Sequence, residues 1–121
     1  MRRGAVVAVL LAVGSLAGSG SAASPASPAR AQVSATEFRL TLSRTAIHRG
    51  PAIIELVNFG EDPHDLRLRR IGGTRTLRLR AVAPGRRGEL AATLAPGKWQ
   101  LWCAVGNHRQ RGMRATLLVR R

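Results

Sequence analysis

Apolar and polar residues alternate in short bursts along most of the chain, and glycine, proline and asparagine separate the bursts. Phe38, Leu40 and Leu42 take turns with Glu37, Arg39 and Thr41, the period of two expected of a half-buried strand. Pro51 to Asn58 holds the nearly continuous apolar run Ala-Ile-Ile-Glu-Leu-Val, suited to a central strand. Leu66 and Leu68 alternate with Arg67 and Arg69, Gly72-Gly73 interrupts, and Leu77 and Leu79 alternate with Arg78 and Arg80. Pro84-Gly85 marks a turn, Gly88 to Leu94 a further strand, and Pro96-Gly97 fits the central pair of a type II turn. Lys98 to Ala104 and Met113 to Arg120 complete the set. No segment carries the 3.6-residue apolar period of a helix. The pattern therefore predicts an all-β fold: an antiparallel Greek-key β-sandwich of seven or eight strands.

The first 31 residues stand outside this pattern. Arg2 and Arg3 form a positive head, Gly4 to Leu16 is apolar and small, and a Gly/Ser/Ala/Pro-rich stretch follows. That is the layout of a secretory signal peptide. The apolar run is shorter than the ~17–20 residues of a membrane span. Cleavage is expected after Ala23 or after Ala31, with the second preferred, leaving residues 32–121 as the working domain. Such a domain buries only about 60–65% of its unfolded surface, so its stability margin is thin. Small exported domains often add disulfides, but Cys103 is the only cysteine here. A lone thiol in an exported chain is a hazard or a working group, and a bound metal would account for it while adding stability.

Charge narrows the partners. The chain carries +14, almost all of it arginine, and +11 remains once Arg2, Arg3 and Arg30 are set aside. Export argues against nucleic acid, leaving an acidic partner protein or an anionic surface. Arg67, Arg69, Arg78 and Arg80 are expected to form an outward face on adjacent strands. Like charges facing each other across strands are unfavourable, so a use for that face is expected, namely steering onto an acidic redox partner or an anionic surface.

The chemistry is concentrated near the C-terminus. Cys103, His108 and Met113 follow the spacing Cys-x4-His-x4-Met, placing a thiol, an imidazole and a thioether within eleven residues on a strand-loop-strand connection. Soft sulfur beside imidazole suits copper that cycles between Cu(I) and Cu(II). A His₂Cys site with a weak axial thioether needs a second imidazole. His64, in Asn58-Phe-Gly-Glu-Asp-Pro-His64-Asp, is the best placed to supply it. His48, beside Arg49-Gly50-Pro51, is expected to face solvent. There is no His-x-His pair, no second cysteine and no Ser/His/Asp grouping, so the chain is not expected to be an enzyme.

With these motifs the chain resembles the cupredoxins, the blue type 1 copper proteins that include plastocyanin and azurin. The resemblance spans roughly Val33 to Arg121. It rests on Glu37-Phe38, Asn58-x-Gly60 before His64, Leu94-x-Pro96-Gly97-x-Trp99, and the Cys103–Met113 loop. The loop spacing is closest to the sulfocyanin/rusticyanin branch. The resemblance implies a β-sandwich holding one copper ion, with His64, Cys103 and His108 as equatorial ligands and Met113 as the axial one. The function it implies is one-electron transport by a monomer, with copper handling without electron transfer as the alternative. Trp102, adjoining the thiol, corresponds to an aromatic that serves as an electron exit in plastocyanin-like proteins. Asp65 departs from the family's usual Asn or Ser, which commonly ties the two ligand loops together, and this leaves the tie and the potential open.

Overall fold

A computed structural model describes residues 4–5, 7–21 and 24–121. Nine strands follow one another: β1 (Ala29–Thr36), β2 (Arg39–Leu42), β3 (Ala46–His48), β4 (Gly50–Asn58), β5 (His64–Arg70), β6 (Thr76–Val82), β7 (Arg87–Leu94), β8 (Gly97–Trp102) and β9 (Arg114–Arg120). They make two sheets, one ordered β2-β1-β4-β7 and the other β3-β9-β8-β5-β6. The sandwich expected from the alternation is present, and no helix occurs among the described residues. None therefore is long and apolar enough to cross a membrane.

Three details differ from the sequence reading. Nine strands are present instead of seven or eight, the additions being β1 and the three-residue β3. The inward positions of β1 are Ala31, Val33 and Ala35, small residues that give little contrast along the sequence. The strand foreseen over 37–42 starts only at Arg39, because Glu37 and Phe38 form the two-residue turn between β1 and β2. The ladders are mostly antiparallel, but β1 pairs with β4, and β3 with β9, in parallel. Pro84-Gly85 forms the expected turn: Arg86 N–H donates to Ala83 O at 3.0 Å and Gly85 takes φ 74°. Pro96-Gly97 is a bend, with Gly97 at φ 138°, fixed by Arg70 Nε donating to Pro96 O and Trp99 Nε1 to Ala95 O.

Leu40, Ile54, Leu56, Leu66, Leu68, Leu101, Leu117 and Val119 fill the space between the sheets. Alternation on β8 sends Trp99, Leu101 and Cys103 inward and leaves Gln100 and Trp102 outside, as foreseen. One irregularity bears on the site. The β5–β6 register slips between His64 and Leu66, so that His64 faces Val82 while Leu66 faces Leu79. Such slips re-aim side chains beside functional sites, and here His64, Asp65 and Leu66 are buried in succession. Of the leader, residues 7–21 form neither strand nor helix, and Leu10 and Leu16 are exposed. Arg2, Arg3 and Ala23 lie outside the described residues.

Candidate metal centre

His64 opens β5, Cys103 directly follows β8, and His108 lies in the loop that returns to β9. Their donor atoms gather within 4.8 Å of one another at one end of the sandwich. Cys103 Sγ is 3.9 Å from His64 Nδ1 and 3.7 Å from His108 Nδ1. Met113, the fourth foreseen residue, lies at the far end of the loop. Its N–H donates to His108 O at 3.1 Å, and its carbonyl accepts from Cys103 N–H at 3.1 Å. All four residues are buried. His48 is exposed at the end of β3 and stands apart from the cluster.

The loop holds its shape through its own backbone. His108 N–H donates to Val105 O, Arg111 N–H is shared between Asn107 O and His108 O, and Gly112 N–H donates to Arg109 O. The opposite loop is held by Asn58, which is fully buried. Its amide nitrogen donates to Asp62 O at 2.7 Å and to Val82 O at 2.9 Å, and its Oδ1 accepts from Gly60 N–H at 2.8 Å.

Asp65 joins the two ligand segments. Its Oδ1 accepts the N–H of Ala104, the residue after Cys103, at 2.6 Å, and its Oδ2 accepts from Arg67 Nε at 3.3 Å. The tie left open by the sequence is thus made by a carboxylate.

Each imidazole faces the sulfur with Nδ1 and a carboxylate with Nε2. His64 Nε2 lies 2.9 Å from Glu37 Oε1, and His108 Nε2 lies 3.5 Å from Asp62 Oδ2. Glu37 also accepts the N–H groups of Asp62 and Glu61, at 2.7 and 2.9 Å. The Asp62 amide above all, with that of Glu61, holds its carboxyl down at about 2. An ionised carboxylate only accepts, so His64 Nε2 is the donor in this contact, and in the neutral ring Nδ1 presents a lone pair. Partners of this kind fix the tautomer of a metal-binding histidine.

The donor chemistry fits a cation. Were both rings neutral with Nε2–H toward the carboxylates, two Nδ1 lone pairs would face a single S–H, which can satisfy only one of them. Bonds of ~2.0 Å to nitrogen and ~2.3 Å to sulfur, meeting in a trigonal plane, would hold such donors ~3.7 Å apart, close to the separations found. Burial pushes the Cys103 thiol above its ordinary range; the Asp65 charge adds to this, while the N–H groups of Val105 and Asp65 oppose it. An ion must therefore displace the thiol proton to bind.

The surface predictions are placed as follows. Trp102 is half-buried on the outer face of β8, opposite Arg67 of β5 and Arg114 of β9, with the Arg109 guanidinium 4.4 Å over its ring. Arg67 faces Arg78 directly across the β5–β6 ladder, and Arg69 faces Thr76 and Gln100. Arg69, Arg78 and Arg80 are exposed, and Arg67 is partly covered by its contact with Asp65.

Glu37, Phe38 and Asp62 were not assigned roles from the sequence. Glu37-Phe38 was a visible mark, but nothing in its spacing points to His64. Phe38 meets His108 edge-on with centroids 5.1 Å apart, and the Arg111 guanidinium covers the Phe38 ring at 3.7 Å.

No family model and no curated protein matches the sequence. Solved structures do match. Auracyanin A, described as a blue copper protein of Chloroflexus aurantiacus, is 14% identical, with TM-score 0.63 over 77% of this chain and 99% of its own. A purple cupredoxin from Nitrosopumilus maritimus is 17% identical, with TM-score 0.55 over 74% and 98%. A multicopper oxidase matches with 14% identity and TM-score 0.60 over 78% of this chain, but only 45% of its own. The chain has the cupredoxin fold.

Proposed function

We propose that this chain is an exported one-electron carrier with a single type 1 copper held by His64, Cys103 and His108, and by Met113 from the axial side. One observation carries this reading: the Nδ1 atoms of two imidazoles converge on one buried thiol, in a fold shared with blue copper proteins. Copper bound there supplies a one-electron Cu(I)/Cu(II) couple. The chain's own part is to hold the donors still. Cys103 and Met113 are locked to each other through their backbones, and Asp65 ties His64's strand to the residue after Cys103. Burial of all four residues supports a carrier over a copper-delivery protein, which must open its site to a recipient.

No open coordination position is offered for a substrate, so the reading is non-enzymatic. The multicopper oxidase likeness covers under half of that protein, and this chain has three histidines in all and one cysteine.

We extend the reading to three further points. Trp102, next to the thiol in sequence and partly open to solvent, is the electron exit. The arginine face containing Arg67, Arg69, Arg78 and Arg80 steers a monomeric carrier onto an acidic redox partner or an anionic surface. Export proceeds by cleavage after Ala23, which leaves β1 whole. Cleavage after Ala31 would remove Ala29, Arg30 and Ala31, which pair with Ala52, Ile53 and Ile54.

Adding Cu(II) to the metal-free protein, then recording the visible spectrum and a voltammogram, tests the proposal. An intense thiolate-to-copper band with a reversible couple is expected. Binding without a reversible couple favours copper handling, and absence of binding refutes both. Trp102→Ala should slow electron exchange with the copper spectrum intact, and raising ionic strength should weaken association with an acidic partner.

A further inference from the structure

We propose that the β1–β2 turn residues Glu37 and Phe38 position both histidines of the centre, with Glu37 fixing which nitrogen of His64 faces Cys103. The inference rests on the metal-site reading above and assigns the two residues a role of their own within it.

A single oxygen, Glu37 Oε1, lies within hydrogen-bond distance of three N–H groups: the backbones of Glu61 and Asp62 and the Nε2 of His64. It thereby ties the loop that leads into His64 to the imidazole itself. Rotating that ring by half a turn about Cβ–Cγ would exchange both nitrogens for carbons. The bond to Glu37 and the lone pair aimed at Cys103 would be lost together.

Space for the carboxylate is made by Gly60. A Cβ at Gly60 would collide with both carboxylate oxygens of Glu37. Gly60 is not among the residues with positive φ, so its backbone does not demand glycine. The room it leaves for Glu37 does.

Phe38 performs the matching task on the other loop. Its ring edge lies against His108 at a 64° interplanar angle, and Arg111 from the same loop stacks on it. Its carbonyl lies close to Gly112, where an added Cβ would approach to 3.1 Å. One hairpin turn therefore contacts both ligand loops, which are separated by some forty residues of chain.

The test uses full-length metal-free protein, labelled with ¹⁵N, to read the imidazole tautomers, followed by zinc titration. In the parent protein, His64 should appear as the Nε2–H form. Glu37→Ala and Gly60→Ala should both yield a tautomer mixture and bind zinc about 10–100-fold more weakly. Their effects should not add, because Gly60→Ala acts by displacing the carboxylate that Glu37→Ala deletes. Glu37→Gln, which keeps an oxygen acceptor, should retain the tautomer and much of the affinity. Thermal unfolding of each variant identifies any that is merely misfolded, and Gly60→Ala leaves the β1–β2 turn itself intact. An unchanged His64 tautomer in both alanine variants, with zinc affinity within about twofold of the parent, overturns the proposal. A pinned tautomer that is released in the variants, without a reversible copper couple in the parent, removes the electron-carrier reading and supports the positioning role.

Discussion

Replacing Asp65 by asparagine and by alanine separates two effects that its carboxylate combines. The first is mechanical. Asp65 accepts the Ala104 N–H at 2.6 Å and makes a longer, partly exposed contact with Arg67. A hydrogen bond to a charged group contributes about 1.5–3 kcal/mol, and an ion pair that still reaches solvent about 0–1 kcal/mol. Ala104 is itself exposed, so its freed N–H regains water. Asp65→Ala should therefore destabilise the metal-free protein by about 1.5–4 kcal/mol, whereas Asp65→Asn keeps an oxygen acceptor and should cost less than about 1 kcal/mol.

The second effect is electrostatic and is shared by both variants. Desolvation is the main cause of the raised Cys103 thiol, but the Asp65 carboxylate raises it further through its charge and through a hydrogen bond. Removing the carboxylate leaves desolvation and the lowering N–H groups in place, so the thiol should titrate at lower pH in both variants. In the copper-loaded protein, the lost negative charge disfavours Cu(II), and the potential should rise. Urea unfolding measures the first effect, and ultraviolet thiolate absorbance against pH measures the second. Equal destabilisation by the two substitutions would refute the tie, and a thiol titration unmoved or shifted upward would refute the charge effect.

Two further outcomes follow from the packing and from Glu37. Its pKa falls from 4.5 to about 2 on folding, so the carboxylate stabilises the fold above about 4.5 and this stabilisation is lost as pH falls toward 2; Glu37→Gln should flatten the acid dependence of urea unfolding across that window, and an unchanged slope would count against the hydrogen-bonded carboxylate. Leu68, fully buried on β5, should cost about 2–5 kcal/mol when cut to alanine, whereas Leu118, 40% exposed on β9, should cost under about 0.5 kcal/mol; similar losses at both positions would contradict the assignment of the inner face.

What could be read from the sequence follows from how local each signal is. Alternation along β5, β6, β8 and β9 identified their inward residues, because period two is a property of one strand. Cys103 and His108 were legible for a related reason: they share one loop, so their spacing brings them together. His64 required the sandwich to bring two strand ends to the same pole. Its inward aim also depends on the register slip opposite Val82, which no pattern in β5 announces. β1 escaped notice because alanine gives little contrast with the polar residues between, and because its first residues adjoin a leader-like segment.

The least legible layer is the one that orders the donors. Glu37 lies 27 residues before His64 and Asp65 lies 39 before Ala104. Asp65 stood out only through the family likeness, and Glu37 in sequence is only a charged residue near a turn. Two of Glu37's three partners are backbone N–H groups, which every residue but proline offers, so partner identity carries no sequence signal. Gly60 is the exception that could have been followed. A glycine whose backbone does not require glycine marks a place where another group must come close. The occupant here is the carboxylate that directs His64, so the residue type at position 60 encodes a contact made from the turn of the first hairpin. The donors of one loop were thus written locally, while His64 and the groups that orient it depend on contacts between distant turns.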